Sequence, residues 1–406
     1  MALDFGPTPQ QDEVRQLAHQ FAEREMRPVA AEYDDKEETP WAVMRKAHAL
    51  GIGPAAGFPE QYGGGGLDLL TYLMLSEELA WGDAGIAVSI QASGLAGTAI
   101  LATGTEAQKA RYLPILCDPS TLRLAALGLT EPDSGSDALS LRTTATRVDG
   151  GWALRGTKQF CTNGGIADLQ VVFANTDPAS GPRGIGAFVV EKGNPGMRQG
   201  RKERKLGVRA SHTAQVILEE CFVTDDAHLG FDPSGRHPGP GGAGALMTLE
   251  ATRPGVGAGA LGIARAAFEY ATEYAHTREQ FGRPIAHHQA IAFKLADMAT
   301  EIDAARLLIW RAGWLAQSGR PLARGEGSMA KLFAGDVAMR TTIEAVQILG
   351  GYGYVKDHPV ERWMRDAKIY QIWEGTAEIQ RLVISRQLLG GRGGRQPPVT
   401  RSASAG

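Results

Sequence analysis

Glu374 is the residue of this 406-residue chain whose type and surroundings are best suited to acid–base chemistry. Apolar side chains recur at helical spacing on both sides of it. Gly375 and Thr376 follow directly and are typical of a helix start, with Thr376 as the N-cap. The carboxylate would then lie beside Trp373, at the positive end of a helix dipole. Burial would raise its pKa and the dipole would lower it, which is how a carboxylate is tuned into a general base.

Two segments earlier in the chain are candidates for binding a cofactor. Residues 129–137, with the sequence LTEPDSGSD, predict a turn that exposes successive N–H and hydroxyl groups, which suit a phosphate or the polar edge of a flavin. Residues 156–164, GTKQFCTNG, place the aromatic ring of Phe160 two positions before the hydroxyl of Thr162, so a planar ligand could pack on the ring and meet the hydroxyl. In isolation, the first would be an ordinary turn and the second an ordinary strand with its Phe in the core.

Two further segments carry arginines next to helix boundaries. Residues 277–284, TREQFGRP, connect two long helices, and their Gly and Pro mark a turn, so Arg278 projects from the C-terminal end of a helix. Residues 249–254, LEATRP, are predicted to open a long helix, with Pro254 just past its first turn. Alone, Arg278 would be a helix-capping cation, just as Glu374 alone would be a surface residue with a capping role.

Together these segments resemble the acyl-CoA dehydrogenase family over roughly residues 8–390. The family's general base sits in a Glu-Gly-Thr turn, which residues 374–376 match, and the flanking residues 364–369 and 379–381 also look like the family. Residues 130–137 match its Thr-Glu-Pro-x-x-Gly-Ser-Asp signature. The chain departs from the usual pattern at Asp133, at Phe160, where many relatives carry Trp, and at Cys161, where they carry a branched aliphatic residue.

The resemblance implies FAD as the cofactor, no metal site and Glu374 as the catalytic base. A minority of relatives place the base at the position of Thr252 and lack it at the position of Glu374, so the resemblance favours Glu374. The implied cofactor contacts are Leu127, Leu129, Thr130, Gly135, Ser136, Phe160, Cys161, Thr162, Arg278, Gln280, Phe281, His288, Gln289, Gln347, Ile348, Gly350, Gly351, Thr376 and Glu378. The implied substrate contacts are Ser136, Glu250, Arg253, Gly375 and Arg386.

The reaction that the resemblance implies is α,β-desaturation of an acyl-CoA thioester. The α-proton passes to Glu374 and the β-hydride to flavin N5, while the thioester carbonyl accepts hydrogen bonds from the Glu374 N–H and a ribityl hydroxyl. Electrons then leave to an electron-transfer flavoprotein. The family assembles as homotetramers, dimers of dimers, in which Arg278 and residues 347–351 would reach the FAD of the neighbouring subunit. Small residues near Gly94 could leave a roomy acyl pocket, and the acyl-chain length stays open.

Two alternatives stay open. One is an oxygen-reacting flavin oxidase of the same fold, although acyl-CoA oxidases carry an extra C-terminal domain and the nitroalkane-oxidising type uses Asp where this chain has Glu374. The other is a non-enzymatic flavin-binding or nucleic-acid-binding relative. Such a protein would carry a basic surface domain, for which 42 basic and 45 acidic residues, a net charge of −3, give no support.

Composition also limits the cellular context. The three cysteines lie far apart with no CxxC, so neither a disulfide framework nor a zinc site is predicted. The N-terminus lacks a basic-then-apolar signal pattern, which favours the cytoplasm. Residues 84–105 carry no charge and are long enough to span a bilayer. Because this stretch contains Gln91 and several Ser, Thr and Gly residues, a buried core helix is predicted and no membrane association.

The predicted fold is α+β and mainly α. An N-terminal helical domain (1–121) is followed by a small middle β-sheet domain (122–232), a C-terminal four-helix-bundle domain (242–390) and a disordered tail (391–406). Strands are predicted at 169–173, 185–190 and 213–223. The helices after the Gly/Pro-rich connector 232–244 are predicted at about 242–275, 288–318, 326–350, 357–371 and 376–389.

Overall fold

The computed structural model describes residues 5–231, 242–320 and 322–390. Within them, a helical part is followed by a sheet and then by a second helical part, so the predicted fold class is confirmed. The domain boundaries given above stay predictions. The tail predicted at 391–406 lies outside the described residues, as does most of the connector 232–244.

Several helices of the N-terminal part begin at side-chain caps. Thr8 forms a capping box with Gln11, and Thr105 caps another helix in the same way. Asp68 and Asp83 each accept a hydrogen bond from a backbone N–H three residues on. The helices are α1 (Pro9–Phe21), α2 (Ala30–Lys36), α3 (Trp41–Ala49), α4 (Leu69–Gly82), α5 (Ala84–Gln91), α6 (Ser93–Thr103) and α7 (Glu106–Cys117).

Helices α5 and α6 together occupy the uncharged stretch. They are separated only at Ala92, whose backbone stays helical. The stretch Ala84–Thr103 is long and apolar enough to cross a membrane, but most of its apolar segment, 61%, is buried inside the protein. Ile86 and Ile90 pack in one core cluster and Ile100 in another. The predicted buried core helix is therefore confirmed, and it ends at Thr103 because Thr105 already caps α7.

The middle part is a seven-stranded sheet in the order β1-β4-β2-β3-β7-β6, with β5 paired to β4. The three predicted strands are confirmed as β4, β5 and β7. The pairing of β3 with β7 is irregular between Lys158 and Cys161, and Phe160 there adopts φ +57°. The strands are β1 (Ala125–Gly128), β2 (Thr144–Val148), β3 (Gly151–Thr162), β4 (Leu169–Asn175), β5 (Ile185–Glu191), β6 (Met197–Lys202) and β7 (Thr213–Thr224).

The C-terminal part is helical except for one small hairpin, and its predicted helices are confirmed within a few residues. The predicted helix 357–371 is shorter than expected, because it begins at Val360 and a 3₁₀ turn (Lys368–Gln371) replaces its last four residues. The elements are α8 (Gly242–Thr277), β8 (Glu279–Gln280), β9 (Arg283–Pro284), α9 (Gln289–Gln317), α10 (Glu326–Leu349), α11 (Val360–Ala367) and α12 (Ala377–Leu388).

Helix α8 packs against helices of both the N-terminal and the C-terminal parts. It packs against α4 of the N-terminal part, and a Cβ added at Gly262 would lie 2.2 Å from the Glu77 carbonyl oxygen, so only glycine allows this close approach. It also packs against α9 and α10. The prediction that the LEATRP segment opens this helix is wrong. Pro254 lies in the helix interior, twelve positions after Gly242, and is buried there, so packing on several sides retains a helix that Pro alone would end.

Candidate active site

Glu374 lies on a short turn between the 3₁₀ turn Lys368–Gln371 and α12. Its φ is +51° and that of Gly375 is +95°, so two successive residues have left-handed backbones. A left-handed Glu is uncommon and persists only where the surroundings hold it, which is typical of functional positions. Thr376 Oγ1 accepts a hydrogen bond from the Ile379 N–H at 3.3 Å, which confirms Thr376 as the predicted N-cap of α12.

The Glu374 carboxylate is half-buried, and among the residues that the structure describes one group donates a hydrogen bond to it. Thr252 Oγ1, from α8, donates to Glu374 Oε2 at 2.6 Å. Burial raises the pKa of Glu374, while the Thr252 hydroxyl and the cations Lys331 and Arg253 act in the opposite direction. The net direction is upward, so burial outweighs the opposing interactions. A carboxylate with a raised pKa and a donor at hydrogen-bond distance suits a general base.

Arg253 is buried on α8 in the same region, one residue after Thr252. Its guanidinium pairs with Glu250 one turn earlier and donates to Ser328 Oγ at 3.0 Å. Arg253 therefore supplies positive charge near Glu374 without binding the carboxylate directly. Glu250 is occupied by this arginine, and its predicted role in substrate binding stays a prediction.

Sequence reasoning missed a buried lysine beneath the turn. Lys331, on α10, is 1% exposed, and its Nζ donates to the Gly375 carbonyl oxygen at 2.6 Å. Gln380 Nε2 donates to the carbonyl oxygens of Glu374 at 3.1 Å and Gly375 at 3.0 Å. A signal was available, since Lys331 follows Gly327 at i+4 and precedes Ala334 at i+3, on the apolar face of its helix.

The 129–137 loop is also held by buried charge. Glu131 accepts hydrogen bonds from the backbone N–H groups of Arg142 and Thr143, at 2.6 and 3.0 Å, and from Lys158 Nζ at 2.6 Å. Lys158 is fully buried and also donates to the Leu129 carbonyl oxygen at 3.2 Å. The pair therefore ties the loop to strand β3. Sequence reasoning did not single out Lys158 as a support of this loop.

The loop apex and the ring on β3 face outward. Gly135 and Ser136 are exposed, and a Cβ added at Gly135 would meet nothing within 4 Å. Phe160 is 62% exposed, so the alternative of a Phe in the sheet core is wrong. The neighbouring Cys161 thiol is buried among the strands, where burial raises its pKa to about 12, so only its backbone is available to a cofactor. Thr162 is half-buried.

One hydrophobic cluster connects this loop to the base. Leu129, at the start of the loop, and Leu127, on β1, pack in the same cluster as Leu249 of α8. Thr252, which donates to Glu374, follows Leu249 by three residues, which is about one helical turn. The binding loop and the base are therefore both positioned by one segment of α8.

A second group of predicted residues lines a cavity in the C-terminal helical part. A cavity of about 680 Å³ is formed by the 278–288 hairpin region and the turn after α10. The predicted cofactor residues that line it are Arg278, Gln280, Phe281, His288, Ile348, Gly350 and Gly351. Tyr352, which was not predicted, also lines the cavity, and its ring centre is 5.7 Å from the Arg278 guanidinium carbon.

Some predicted residues lie apart from these two groups. Gln289 begins α9 and Gln347 is exposed on the last turn of α10, and neither lines the cavity. Glu378 is exposed on the first turn of α12. Arg386 is exposed near the other end of α12, and the rise of ~1.5 Å per residue puts it roughly 14 Å along the helix from Ala377. Their predicted roles stay predictions.

Models of the N-terminal, middle and C-terminal domains of acyl-CoA dehydrogenases match residues 8–119, 126–221 and 239–389. An acyl-CoA dehydrogenase of Bacillus subtilis is 46% identical over 95% of this chain and 99% of its own length. A short-chain specific acyl-CoA dehydrogenase of Megasphaera elsdenii is 44% identical over 95% of this chain and 100% of its own. The chain belongs to the acyl-CoA dehydrogenase family and is an oxidoreductase of that family.

The fold also matches that of a solved structure. A chain in the structure of the electron transferring flavoprotein of Acidaminococcus fermentans, studied for flavin-based electron bifurcation, superposes with a TM-score of 0.91. It is 43% identical in sequence, and the likeness covers 96% of this chain and 100% of that one. The family and this structural likeness imply a flavin cofactor for the present chain.

Proposed function

We propose that this enzyme introduces an α,β double bond into a short acyl-CoA thioester, with FAD as cofactor and Glu374 as the base. The observation that carries the proposal is the Glu374 turn. A left-handed backbone presents a carboxylate of raised pKa, which a hydroxyl from a different helix holds at 2.6 Å. A surface glutamate with only a capping role would need none of these features.

The residues present suit FAD. An exposed Phe160 on strained backbone offers a ring face for the flavin, and the apex of the 129–137 loop leaves N–H groups and the Ser136 hydroxyl accessible. At Gly350 and Gly351 an added Cβ would meet nothing within 4 Å, so a flat ligand could approach the backbone there. Arg278 supplies a guanidinium for a diphosphate. FAD, when bound, would supply the two-electron acceptor for the β-hydride.

The chain itself would carry out the proton chemistry. Glu374 in its anionic form removes the α-proton, and Thr252 keeps the carboxylate oriented through its hydrogen bond to Oε2. The Glu374 N–H donates to no group in the part of the chain that the structure describes. It is therefore available to the thioester carbonyl oxygen, where a fixed donor would stabilise the enolate charge as it develops.

Local packing supports a short acyl chain. Gln91, half-buried at the end of α5 and three residues before Gly94, donates to Ser76 Oγ at 2.7 Å. A Cβ added at Gly94 would lie 3.2 Å from the Pro54 side chain and 3.8 Å from the Tyr72 hydroxyl. Pro54 and Tyr72 thus occupy part of the space that the small residues near Gly94 were expected to leave open. The Megasphaera elsdenii relative is short-chain specific, which agrees with this packing.

The electron acceptor and the assembly follow from the same proposal. An electron-transfer flavoprotein is the proposed acceptor, supported by the likeness to a chain in an electron transferring flavoprotein structure. A homotetramer, a dimer of dimers, is proposed because the exposed residues around Arg278 form only one side of a site. A cytoplasmic location is part of the proposal, while nucleic acid and membranes are not among the proposed partners.

Anaerobic flavin bleaching with a panel of C4 to C16 straight and branched acyl-CoAs tests the proposal. Butyryl-CoA is expected to bleach the flavin fastest, and rates should fall as the chain lengthens. A purified protein without flavin, or a flavin that no acyl-CoA reduces, would contradict the proposal. Readmission of air separates the alternatives, because a dehydrogenase with product bound should reoxidise slowly and an oxidase within seconds.

A further inference from the structure

The residue beneath the base turn is unusual for its position. Lys331 belongs to the second turn of α10, in the N-terminal half of the helix, where the helix dipole gives a cation no stabilisation. It is also fully enclosed by protein. In the part of the chain that the structure describes, no carboxylate pairs with its ammonium, and its one hydrogen bond goes to the Gly375 carbonyl. Burial of an ammonium under these conditions costs stability, so packing alone gives no reason for a lysine here.

The acceptor of this hydrogen bond is at a sensitive point of the backbone. The Gly375 carbonyl follows directly after the Glu374–Gly375 peptide, and both residues have positive φ. Gln380 also donates to this carbonyl and to that of Glu374, so two side chains from α10 and α12 hold the turn from below. The Gly375 carbonyl belongs to the peptide that directly follows the Glu374–Gly375 peptide, so a shift of this backbone segment would move both the Glu374 carboxylate and the Glu374 N–H.

We propose that Lys331 is a positioning residue for the reaction, whose ammonium holds the Gly375 carbonyl and thereby aims Glu374 and its N–H at the substrate. This inference rests on the proposed function of Glu374. The role is indirect, since the ammonium touches neither the carboxylate nor any reacting atom.

The electrostatic surroundings give Lys331 a second effect. The charged groups facing it are Glu374 and Glu378 from the segment above, Asp336 on its own helix and Arg253 on α8. Burial lowers the pKa of Lys331 to about 8, and its positive charge lowers the pKa of Glu374. Removal of the lysine should therefore favour protonated Glu374 and move the pH midpoint of proton abstraction upward.

The test compares Lys331→Met with Lys368→Met in the FAD-loaded enzyme. Lys368 is an exposed lysine of the preceding 3₁₀ turn that donates to Gln371, so it controls for loss of a lysine from the same segment. Lys331→Met should retain FAD and slow anaerobic flavin reduction by butyryl-CoA about 10- to 100-fold, as for a group displaced by ~1 Å. The pH midpoint of its reduction rate should lie above that of the parent enzyme.

A second readout isolates proton removal from hydride transfer. A thioester with sulfur in place of the β-carbon can lose its α-proton but has no β-hydride to give. The absorbance of its anion beside oxidised flavin, titrated with pH, should show a higher midpoint in Lys331→Met than in the parent or Lys368→Met. Equal rates and equal midpoints in Lys331→Met and the parent would overturn the inference.

Lys331→Arg covers the case in which the methionine variant does not fold. It retains charge and donors, so it should lose less rate than Lys331→Ala and keep the parent midpoint. Equal losses in both variants, without a change of midpoint, would show that Lys331 only supports the fold. If no acyl-CoA reduces the flavin of the parent enzyme, the proposed function itself fails, and not only this inference.

Discussion

Around Glu374 the backbone is held by side chains buried inside one chain, whereas around Arg278 the corresponding residues face outward. Lys331 and Gln380 fix the carbonyls of the base turn from the interior. At the other end, Phe281 is 95% exposed and adopts φ +55° on the hairpin that carries Arg278. A single copy of the chain thus completes one end of the proposed site and presents the other as an open surface.

This difference separates two kinds of requirement. The groups that move protons must be fixed to within a fraction of an ångström, and a buried polar network provides that rigidity. The groups that retain the adenine end of a cofactor need only be covered when the cofactor is present. Substitutions at the open end should therefore mainly weaken flavin binding and assembly. Substitutions at the buried end should mainly slow the reaction.

Glu374→Gln should have the largest effect at the buried end. The amide retains the shape of the side chain and loses the base, so flavin reduction by acyl-CoA should slow by at least ~10³-fold, while FAD and colour are retained. Stopped-flow reduction without oxygen measures the rate. Glu219→Gln, an exposed carboxylate on β7, is the control and should leave the rate unchanged. A near-parental rate for Glu374→Gln would move the base to another residue, with Glu250 the first to examine.

Lys158→Met should break the other buried anchor. It leaves Glu131 enclosed without its cation, and removal of one partner of a buried pair typically costs about 3–5 kcal/mol of folding free energy. Denaturant unfolding of the FAD-free protein measures this loss. Arg155→Met, on the same strand but exposed, should change the unfolding free energy little. If both variants unfold alike, the pair does not support the loop.

The two regions also differ in how well the sequence predicts them. The Glu-Gly-Thr turn, its N-cap and the outward Phe160 follow from local residue types and motif resemblance, and the helices from their periodicity. Lys331 and Lys158 were missed because each is separated from its partner by at least 27 residues, so nothing local marks them as anchors.

Pro254 shows that local patterns can also predict a feature that distant contacts remove. Local rules end or open a helix at a proline, but α8 passes through it because its neighbours on α4, α9 and α10 hold both sides. The sequence likewise suggests open space near Gly94, which Pro54 and Tyr72 partly occupy from a different segment. Packing between distant segments decides such positions, and residue types alone do not reveal it.

Arg278→Ala tests the open end and should act on FAD and assembly together. A charge-assisted hydrogen bond to a diphosphate contributes about 1.5–3 kcal/mol, so FAD retention should weaken roughly 10- to 100-fold. Size exclusion should show partly FAD-free protein shifted to smaller species, and added FAD should reverse the shift. Arg198→Ala, on β6 and remote from the cavity, should change neither property. A fully flavinated variant of unchanged size would contradict the cross-subunit assignment.

The smallest expected effect is a shift in the pH dependence of flavin reduction, and it concerns the buried Glu374 region. Glu374 accepts a proton only as the anion, and burial raises its pKa above the ordinary value for a glutamate. The rate of flavin reduction at saturating substrate should therefore climb with pH through one ionisation above that value. Because the Thr252 hydroxyl favours the anion, Thr252→Val should move the curve to still higher pH. A flat profile from pH 5 to 9 would mean either that Glu374 is well solvated or that another step limits the rate. An α-deuterated substrate distinguishes these cases, since a primary isotope effect appears only when proton abstraction is the step being timed.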